Sequence, residues 1–345
     1  MTVSYQKYTL NFKRPSGTSR GVMTTKETWF IMLEENGKKG IGECGILRGL
    51  SIDDRPDYEE KLQWVCKNIH LGEAQLWEAL KEYPSIQFGL ETAFRSLASN
   101  NPYVLFPSAF TEGEEDITIN GLVWMGDEAY MKQQIEDKLT QGFSCIKLKI
   151  GAIDFEKELS LLEFIRSNFT PQQIEIRVDA NGAFTATDAL HKLNKLATYV
   201  LHSIEQPIRQ HQTDAMAELC SITPLPIALD EELIGVFEYS DKEALLQKIK
   251  PQYIILKPSL VGGIRGCDEW IALAEKQNIG WWITSALESN IGLNAIAQYT
   301  FTKNNTMPQG LGTGALYTNN FDSPLVVKNG KLCYDTSLPW NVTIF

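Results

Sequence analysis

The chain has 345 residues, of which 43% are hydrophobic, and this length allows one large barrel or two domains. The formal net charge of −11 at pH 7 argues against nucleic acid or an anionic membrane surface as a partner. A small anionic substrate is still compatible with this charge, because a local pocket can oppose the overall sign.

Cysteine usage and the N-terminus predict a cytoplasmic protein. The six cysteines are scattered without a C-x-x-C pair, and the four histidines show no zinc-ligand spacing. The first residues lack the basic and apolar run of a signal peptide, and no apolar stretch is long enough to span a bilayer. We therefore expect reduced thiols and no membrane partner. Association into a homo-oligomer is left open.

The first hundred residues predict a small α+β unit. Three β-rich segments predict an antiparallel meander: residues 5–12, 28–33 and 40–44. Two loops are expected beside them, a flexible polar loop over 15–21 and a second loop over 47–51. Residues 57–100 then predict helix, with an apolar face around Phe88 and Leu97.

From residue 102 onward, short β-rich runs alternate with amphipathic helices. The predicted strands are 117–122, 145–150, 174–178, 200–204, 226–229, 253–256 and 280–283, with a short final strand near 310–311. The predicted helices are 125–141, 154–169, 185–197, 212–221, 239–249, 264–277 and 291–299. Such alternation predicts a parallel sheet, and about eight strands favour a closed barrel. The tail, 321–345, has strand character, and we expect it to return to the N-terminal unit.

Two lysines end the strand over 145–150. Alternation along a strand places Lys147 and Lys149 on the same side. An amine held among apolar neighbours has a lowered pKa, toward the range where it can accept a proton. The alternative is a strand whose lysines extend their ammonium groups to solvent.

The next strands also end in charged residues. Asp179, Glu205, Asp230 and Lys257 follow one another at intervals of about one β/α unit. All of them should therefore lie on the C-terminal rim of the barrel, together with Lys149. Each carboxylate could cap the helix that follows it. The repetition on adjacent strands favours instead an oxygen cage for Mg²⁺, with Mn²⁺ as an alternative metal.

A metal between two lysines suggests a reaction. A carboxylate bound to Mg²⁺ has an acidified α-proton, because the metal stabilises the enediolate that forms when the proton leaves. One lysine takes this proton, and the second faces the other side of the same carbon.

The motif set resembles the enolase superfamily, muconate-lactonizing subgroup. The motifs are Lys147-x-Lys149, Asp179-Ala180-Asn181, Glu205-Gln206-Pro207, Asp230-Glu231 and Lys257-Pro258. The resemblance implies Asp179, Glu205 and Asp230 as metal ligands, Lys149 as the base and Lys257 on the opposite face. Lys147 would tune the pKa of Lys149 and contact the substrate carboxylate, and Asn181 and Glu231 would support the ligands. The mandelate-racemase subgroup has a histidine at the position of Lys257, so we set it aside.

The resemblance also implies the architecture. We expect an α/β fold, a TIM-like (β/α)7β barrel, with an N-terminal α+β capping domain completed by the C-terminal tail. The expected boundaries are 1–105 for the capping domain, 106–315 for the catalytic barrel and 316–345 for the returning segment. Capping loops would close over the substrate, which makes Arg20 and Arg48 candidate contacts.

Residues at the mouth of the barrel distinguish the activities that the subgroup includes. Dipeptide epimerases of this kind carry Asp-x-Asp at the last strand to hold an ammonium, whereas this chain has Gly312-Thr313-Gly314, which would leave a buried ammonium unpaired. Backbone N–H groups there, and the stretch with Ser285 and Ser289, suit an anion. This favours o-succinylbenzoate synthesis for menaquinone, by dehydration of 2-succinyl-6-hydroxy-2,4-cyclohexadiene-1-carboxylate. The alternatives are dipeptide epimerisation and N-acylamino acid racemisation. A catalytically inactive binding barrel is disfavoured, because no lysine or ligand is missing.

Overall fold

The computed structural model describes residues 1–18 and 21–342. It opens with an antiparallel sheet in the order β1 (Thr2–Thr18), β2 (Gly21–Glu35) and β3 (Lys38–Gly45), which confirms the predicted meander. The predicted loop over 15–21 is wrong for its first half, because β1 continues and Ser16 pairs with Met23. The register shifts between Asn11 and Ser16, and such an irregularity accommodates Pro15, which has no N–H to donate.

Three helices follow the sheet: α1 (Tyr58–Asn68), α2 (Gly72–Ala79) and α3 (Pro84–Ala98). Helices α1 and α3 contact the sheet, and α2 packs against α3. The continuous helix predicted over 57–100 is interrupted at Gly72, whose φ is 76°, and before Pro84. Helix α3 lies very close to β3, since a Cβ on Gly42 would be 1.8 Å from the carbonyl oxygen of Gly89. Glycine at position 42 therefore permits this contact, beside an apolar core shared by the sheet and the helices.

The following strands are β4 (Ile117–Thr118), β5 (Gly121–Val123), β6 (Cys145–Lys149), β7 (Glu175–Asp179), β8 (Ser203–Glu205), β9 (Ile227–Leu229), β10 (Tyr253–Leu256) and β11 (Gly280–Ile283). The helices between and after them are α4 (Glu128–Thr140), α5 (Phe155–Asn168), α6 (Ala186–Ala197), α7 (Thr213–Ile222), α8 (Tyr239–Ile249), α9 (Pro258–Val261), α10 (Gly263–Lys276) and α11 (Asn290–Phe301). Within the described residues, β5 to β11 form one parallel sheet in sequential order. The predicted parallel β/α arrangement is confirmed.

Two predicted strands differ in detail. The first splits into β4 and β5, and only β5 belongs to the parallel sheet. The last, near 310–311, is reduced to isolated bridges from Gln309 to Ile119 and from Gly310 to Thr284. These bridges connect the chain beyond β11 to segments at both edges of the curled sheet.

The tail contacts two parts of the molecule. Leu316 and Thr318 hydrogen-bond to the backbone of β1, and Phe321 packs on Tyr8 and Phe30. The hairpin of β12 (Leu325–Lys328) and β13 (Lys331–Tyr334) pairs instead with β4. All six cysteines are free. Among the described residues, the helices are too short or too polar to cross a membrane.

Candidate active site

A cavity of about 190 Å³ opens at the C-terminal ends of the parallel strands. Its lining includes eight of the residues predicted from sequence: Arg48, Lys147, Lys149, Asp179, Asn181, Lys257, Ser285 and Gly312. Five others do not line it: Glu205, Asp230, Glu231, Ser289 and Gly314. Arg20 lies outside the described residues. The strand ends therefore bring the two lysines that flank the predicted reaction into one cavity.

The register of the sheet explains this convergence. Lys149 on β6 pairs with Asp179 on β7, and Asp179 pairs with Glu205 on β8. Paired residues of parallel strands point to the same face, so these three side chains share one layer. Lys149 donates to Asp179 Oδ2 at 2.9 Å and to Asn181 Oδ1 at 2.8 Å. The predicted base is thus held by two oxygen acceptors at the end of the next strand.

The carboxylates and the other two lysines form one buried ionic network. Lys147 lies 3.2 Å from Asp179 Oδ2 and also donates to Glu205 Oε2. Lys257 donates to Asp230 Oδ2 and stands 3.8 Å from Glu205 Oε1. Three lysines therefore surround three carboxyl groups that are each at most 2% exposed. Buried charges require such pairing, because desolvation of an isolated ion is very costly.

The same network sets the protonation equilibria. Burial acts to lower the pKa of Lys257, but the carboxylates of Asp230 and Glu205 outweigh it and raise the pKa well above its usual range. The pKa of Lys147 is also raised, against the effect of burial, by Asp179 and Glu205. The expectation that apolar neighbours lower the pKa of a strand lysine is therefore wrong for Lys147. Its neighbours on the adjacent strand ends are anions.

The carboxylates respond in opposite directions. Burial, with the charge of Asp179, raises the pKa of Glu205 to about 8. Burial also acts to raise the pKa of Asp179, but Lys147 and Lys149 hold it far below its usual range.

Glu205 also provides the structural test for a metal ion. Its Oε1 is buried and accepts no hydrogen bond, although hard carboxylate oxygens from three adjacent strands suit Mg²⁺. In the present side-chain positions, no group of three or more His, Cys, Asp or Glu residues within the described chain could hold a metal ion. The lysine ammonium groups lie between the carboxylates. The donor set fits Mg²⁺ in chemistry, and binding would require these ammonium groups to withdraw.

Supporting residues lie directly behind the network. Asn181 has a left-handed backbone, with φ of 44°, and its Nδ2 donates to Glu231 Oε1 at 3.0 Å. The sequence analysis named Gln206 within a motif but gave it no role. Its Oε1 accepts from the backbone N–H groups of Asp230 at 3.2 Å and Glu232 at 3.3 Å, and its own φ is 39°. A buried amide directly after Glu205 thus fixes the loop that carries Asp230.

The predicted anion contacts divide into two groups. Ser285 lines the cavity, whereas Ser289 caps α11 and donates to the buried carboxylate of Glu43. A Cβ on Gly314 would meet Asn290, which shows that Gly314 lies against α11. Sequence analysis missed Glu43 and Glu288, both fully buried. An acidic residue inside an apolar strand was the available signal for Glu43, and its partner lies 246 positions away.

Arg48 lies on the cavity wall with its guanidinium already paired. Its Nε donates to Glu27 Oε2 at 2.9 Å, and its Nη1 lies 2.5 Å from Asp54 Oδ1. The residues of the same loop that add apolar surface to the cavity are Leu47 and Leu50. In this conformation Arg48 fixes the loop, and contact with a substrate would require it to exchange these partners.

Comparisons with known proteins agree with the fold. The family model described as enolase C-terminal domain-like matches residues 130–336, and the model of the MenC N-terminal domain matches residues 2–97. The first covers more than half of the chain. The chain therefore belongs to the enolase superfamily.

Individual members of the superfamily differ in how similar they are to this chain. The o-succinylbenzoate synthase of Desulfotalea psychrophila is 48% identical over 96% of this chain and 98% of its own length. The crystal structure of MenC from the same organism superposes with a TM-score of 0.86 and 45% identity, over 96% of this chain and 99% of that one. The L-Ala-D/L-Glu epimerase of Bacillus subtilis is 26% identical over 94% of this chain and 89% of its own length.

Proposed function

We propose that the protein is an o-succinylbenzoate synthase, a carbon–oxygen hydro-lyase of menaquinone biosynthesis. It dehydrates 2-succinyl-6-hydroxy-2,4-cyclohexadiene-1-carboxylate. The observation that carries this proposal is the single cavity lined by both Lys149 and Lys257, next to the carboxylate of Asp179. The relative that is 48% identical over nearly its full length has this activity by name.

Lys149 is the proposed base and acid. As a neutral amine, Lys149 would donate its two N–H groups to Asp179 and Asn181 and keep its lone pair for the proton of the substrate. The α-proton passes to Lys149 and then to the departing hydroxide, so that water leaves. The electron pair of the broken C–H bond completes the aromatic ring. Lys257 stays an ammonium and stabilises negative charge from the opposite face.

Asp179, Glu205 and Asp230 are the proposed ligands of Mg²⁺, with Mn²⁺ as an alternative. When bound, the metal would acidify the α-proton of the substrate by withdrawing charge from its carboxylate. Glu231 orients Asn181, and through it the Lys149 amine. Lys147 pairs with Asp179 and Glu205, and it is the proposed contact of the substrate carboxylate.

The finer architecture is part of the proposal. The bridges at Gln309 and Gly310 support a (β/α)7β barrel over 106–315, closed between β11 and the segment before β5. A separate apolar core supports a capping domain over 1–105, and the contacts of Leu316, Thr318 and Phe321 with this domain support a returning segment over 316–345. The cytoplasmic location stays a prediction, and association into a homo-oligomer stays open.

Epimerisation of a dipeptide is the weaker alternative. The cavity end that would hold the substrate ammonium in such an enzyme carries Gly312 and Thr313, which supply no carboxylate. An unpaired ammonium there would cost several kcal/mol, so an anionic arm is preferred.

A spectrophotometric assay tests the proposal. With Mg²⁺, the wild-type protein should remove the diene absorbance of the cyclohexadiene carboxylate, and Lys149→Ala should abolish this turnover. Lys157→Ala, an exposed lysine on α5, is the matched control and should keep full activity. Absence of turnover by the wild type would overturn the synthase and direct the search to α-proton exchange in dipeptides and N-acylamino acids.

A further inference from the structure

A buried carboxylate lies behind the strand end that carries Lys149. Glu158 is on α5, is 2% exposed and is not among the residues that line the cavity. Its Oε1 accepts a hydrogen bond from the N–H group of Gly151 at 2.6 Å. Gly151 comes two residues after Lys149 in the chain. The carboxylate therefore binds the main chain next to the proposed base from outside the cavity.

Three successive residues of the loop between β6 and α5 face this carboxylate. Burial raises the pKa of Glu158 to about 7, against the N–H groups of Gly151, Ile153 and Ala152, which act to lower it. Successive backbone N–H groups form a concave surface that suits an anion, and here a side chain of the protein occupies it. The protonated carboxyl group also keeps an oxygen that accepts, so the hydrogen bond to Gly151 does not require the negative charge.

The loop lies directly against the segment that follows β7. Gly151 and Ala152 are exposed, so Glu158 holds the loop from its inner side. The φ of Gly151 is 92°, a conformation that favours glycine. A Cβ at this position would also lie 2.4 Å from the Cβ of Ala183. Glycine at position 151 therefore permits the close contact between the loop and the end of the neighbouring strand.

That neighbouring segment supplies both acceptors of the Lys149 amine. Asp179 Oδ2 and Asn181 Oδ1 accept from Lys149 at 2.9 Å and 2.8 Å. The N–H group of Ile150, between Lys149 and the loop, donates to the backbone oxygen of Asp179 at 2.8 Å. Displacement of the loop would thus move the amine relative to its acceptors and to the substrate. A misplacement of about 1 Å is enough to cost about 100-fold in rate.

We propose that Glu158 is a positioning residue of the reaction: it holds the loop between β6 and α5 against the segment after β7 and so keeps the Lys149 amine aligned with the proton that it removes. This inference rests on the proposed function, in which Lys149 is the base. Because Glu158 lies outside the cavity, its loss should slow proton transfer and leave the binding of substrate and product unchanged.

Three variants test this role. Glu158→Leu removes the acceptor and keeps an apolar side chain in the buried position, whereas Glu158→Gln keeps an oxygen for Gly151. Asp154→Ala is the matched control, because Asp154 belongs to the same loop but is exposed and accepts from the N–H group of Glu156 at the start of α5.

Each variant is measured in three ways. Calorimetry with Mg²⁺ gives the Kd and the number of binding sites for o-succinylbenzoate. Steady-state kinetics with the cyclohexadiene substrate gives KM and kcat per binding site, which removes the effect of any unfolded fraction. Substrate deuterated at the α-carbon gives the isotope effect on kcat.

Glu158→Leu should lower kcat per site by roughly tenfold to hundredfold, while KM is not raised and the product Kd stays unchanged. Its isotope effect should be at least as large as that of the wild type, because proton transfer then limits turnover. Glu158→Gln should restore most of kcat. Asp154→Ala should lower the melting temperature, as for loss of an N-cap, and keep kcat per site. If Glu158→Leu does not fold, Glu158→Asp, whose carboxylate is one methylene shorter, carries the same expectation.

An unchanged kcat per site, a smaller isotope effect or a weakened product Kd in Glu158→Leu would overturn the inference. Losses of the same size in Glu158→Gln or in Asp154→Ala would also overturn it, because they would show that the acceptor for Gly151 is not what matters. Wild type that binds o-succinylbenzoate but does not dehydrate the cyclohexadiene substrate would refute the proposed function instead, and the inference would fall with it.

Discussion

At the scale of single residues, the chemistry of the cavity comes from charged side chains at the ends of strands. Lys149, Asp179 and Lys257 follow apolar strands one β/α unit apart, and the structure places all three on one cavity. Roles for Glu43, Gln206 and Glu288 were not predicted. Glu43 and Glu288 gain their partners from packing between separate segments, and Gln206 from a loop geometry that no periodicity encodes.

Glu205 is the residue whose replacement tests the metal assignment. Its buried and unpartnered Oε1 is an available oxygen donor. Glu205→Gln replaces a carboxylate by an amide of the same shape, so we expect the affinity for Mg²⁺ to fall by more than about tenfold, since even outer partners of metal ligands cost 10–100-fold. Calorimetric titration of Mg²⁺ into the apoprotein measures this change. Glu91→Gln, a buried carboxylate remote from the cavity, is the control, and equal affinities of the two variants would contradict the assignment.

At the scale of elements, the alternation of strands and helices was predictable and several boundaries were not. Val200 was predicted to begin a strand, but its φ is 52° and β8 begins at Ser203. A left-handed residue after a helix leaves no mark in hydrophobic periodicity. The last barrel strand forms only bridges at Gln309 and Gly310, because its length depends on partners at both edges of the sheet.

At the start of α11, the hydrogen bonds of Ser289 indicate a structural role rather than a substrate contact. Ser289 accepts from the Ile291 N–H at 3.2 Å, and Glu43 accepts from the N–H groups of Ser289 and Gly292, both at 2.9 Å. We expect Ser289→Ala to lower the free energy of unfolding by about 1–2 kcal/mol, as for loss of an N-cap, and to leave KM unchanged. Thermal unfolding and steady-state kinetics measure the two quantities. Thr185→Ala, which removes the N-cap of α6, is the control. A raised KM with unchanged stability would restore Ser289 as a substrate contact.

At the scale of the whole molecule, carboxylates of the N-terminal unit cap helices of the parallel β/α unit. Glu43 on β3 caps α11, and Glu91 on α3 accepts from the N–H groups of Ile264 at 2.6 Å and Arg265 at 3.1 Å at the start of α10. Helix N-termini attract negative charge and carry N–H groups without intrahelical partners. The two units are thus connected by hydrogen bonds between segments that are far apart in sequence, which explains why the sequence alone did not reveal them.

Glu91 makes this connection dependent on pH. Its carboxyl group is 7% exposed, and burial raises its pKa to about 8, against the two backbone donors. In the unfolded chain the same group titrates near its ordinary value of 4.5. Between these values the folded protein binds more protons than the unfolded chain. Its free energy of unfolding therefore falls as the pH rises, by at most about 1.4 kcal/mol per pH unit.

Glu91→Gln removes this titration. We expect the urea midpoint of the variant, relative to wild type, to rise from pH 5 to about pH 8 and to level off above it, because only the wild type must ionise a buried carboxyl group in the folded state. The measurement requires a chelator, so that metal binding does not add its own pH dependence. Glu114→Gln, an exposed carboxylate, should differ from wild type by a constant amount. A constant difference for Glu91→Gln as well would mean that the two N–H donors keep the Glu91 carboxylate ionised throughout, as a permanent cap of α10.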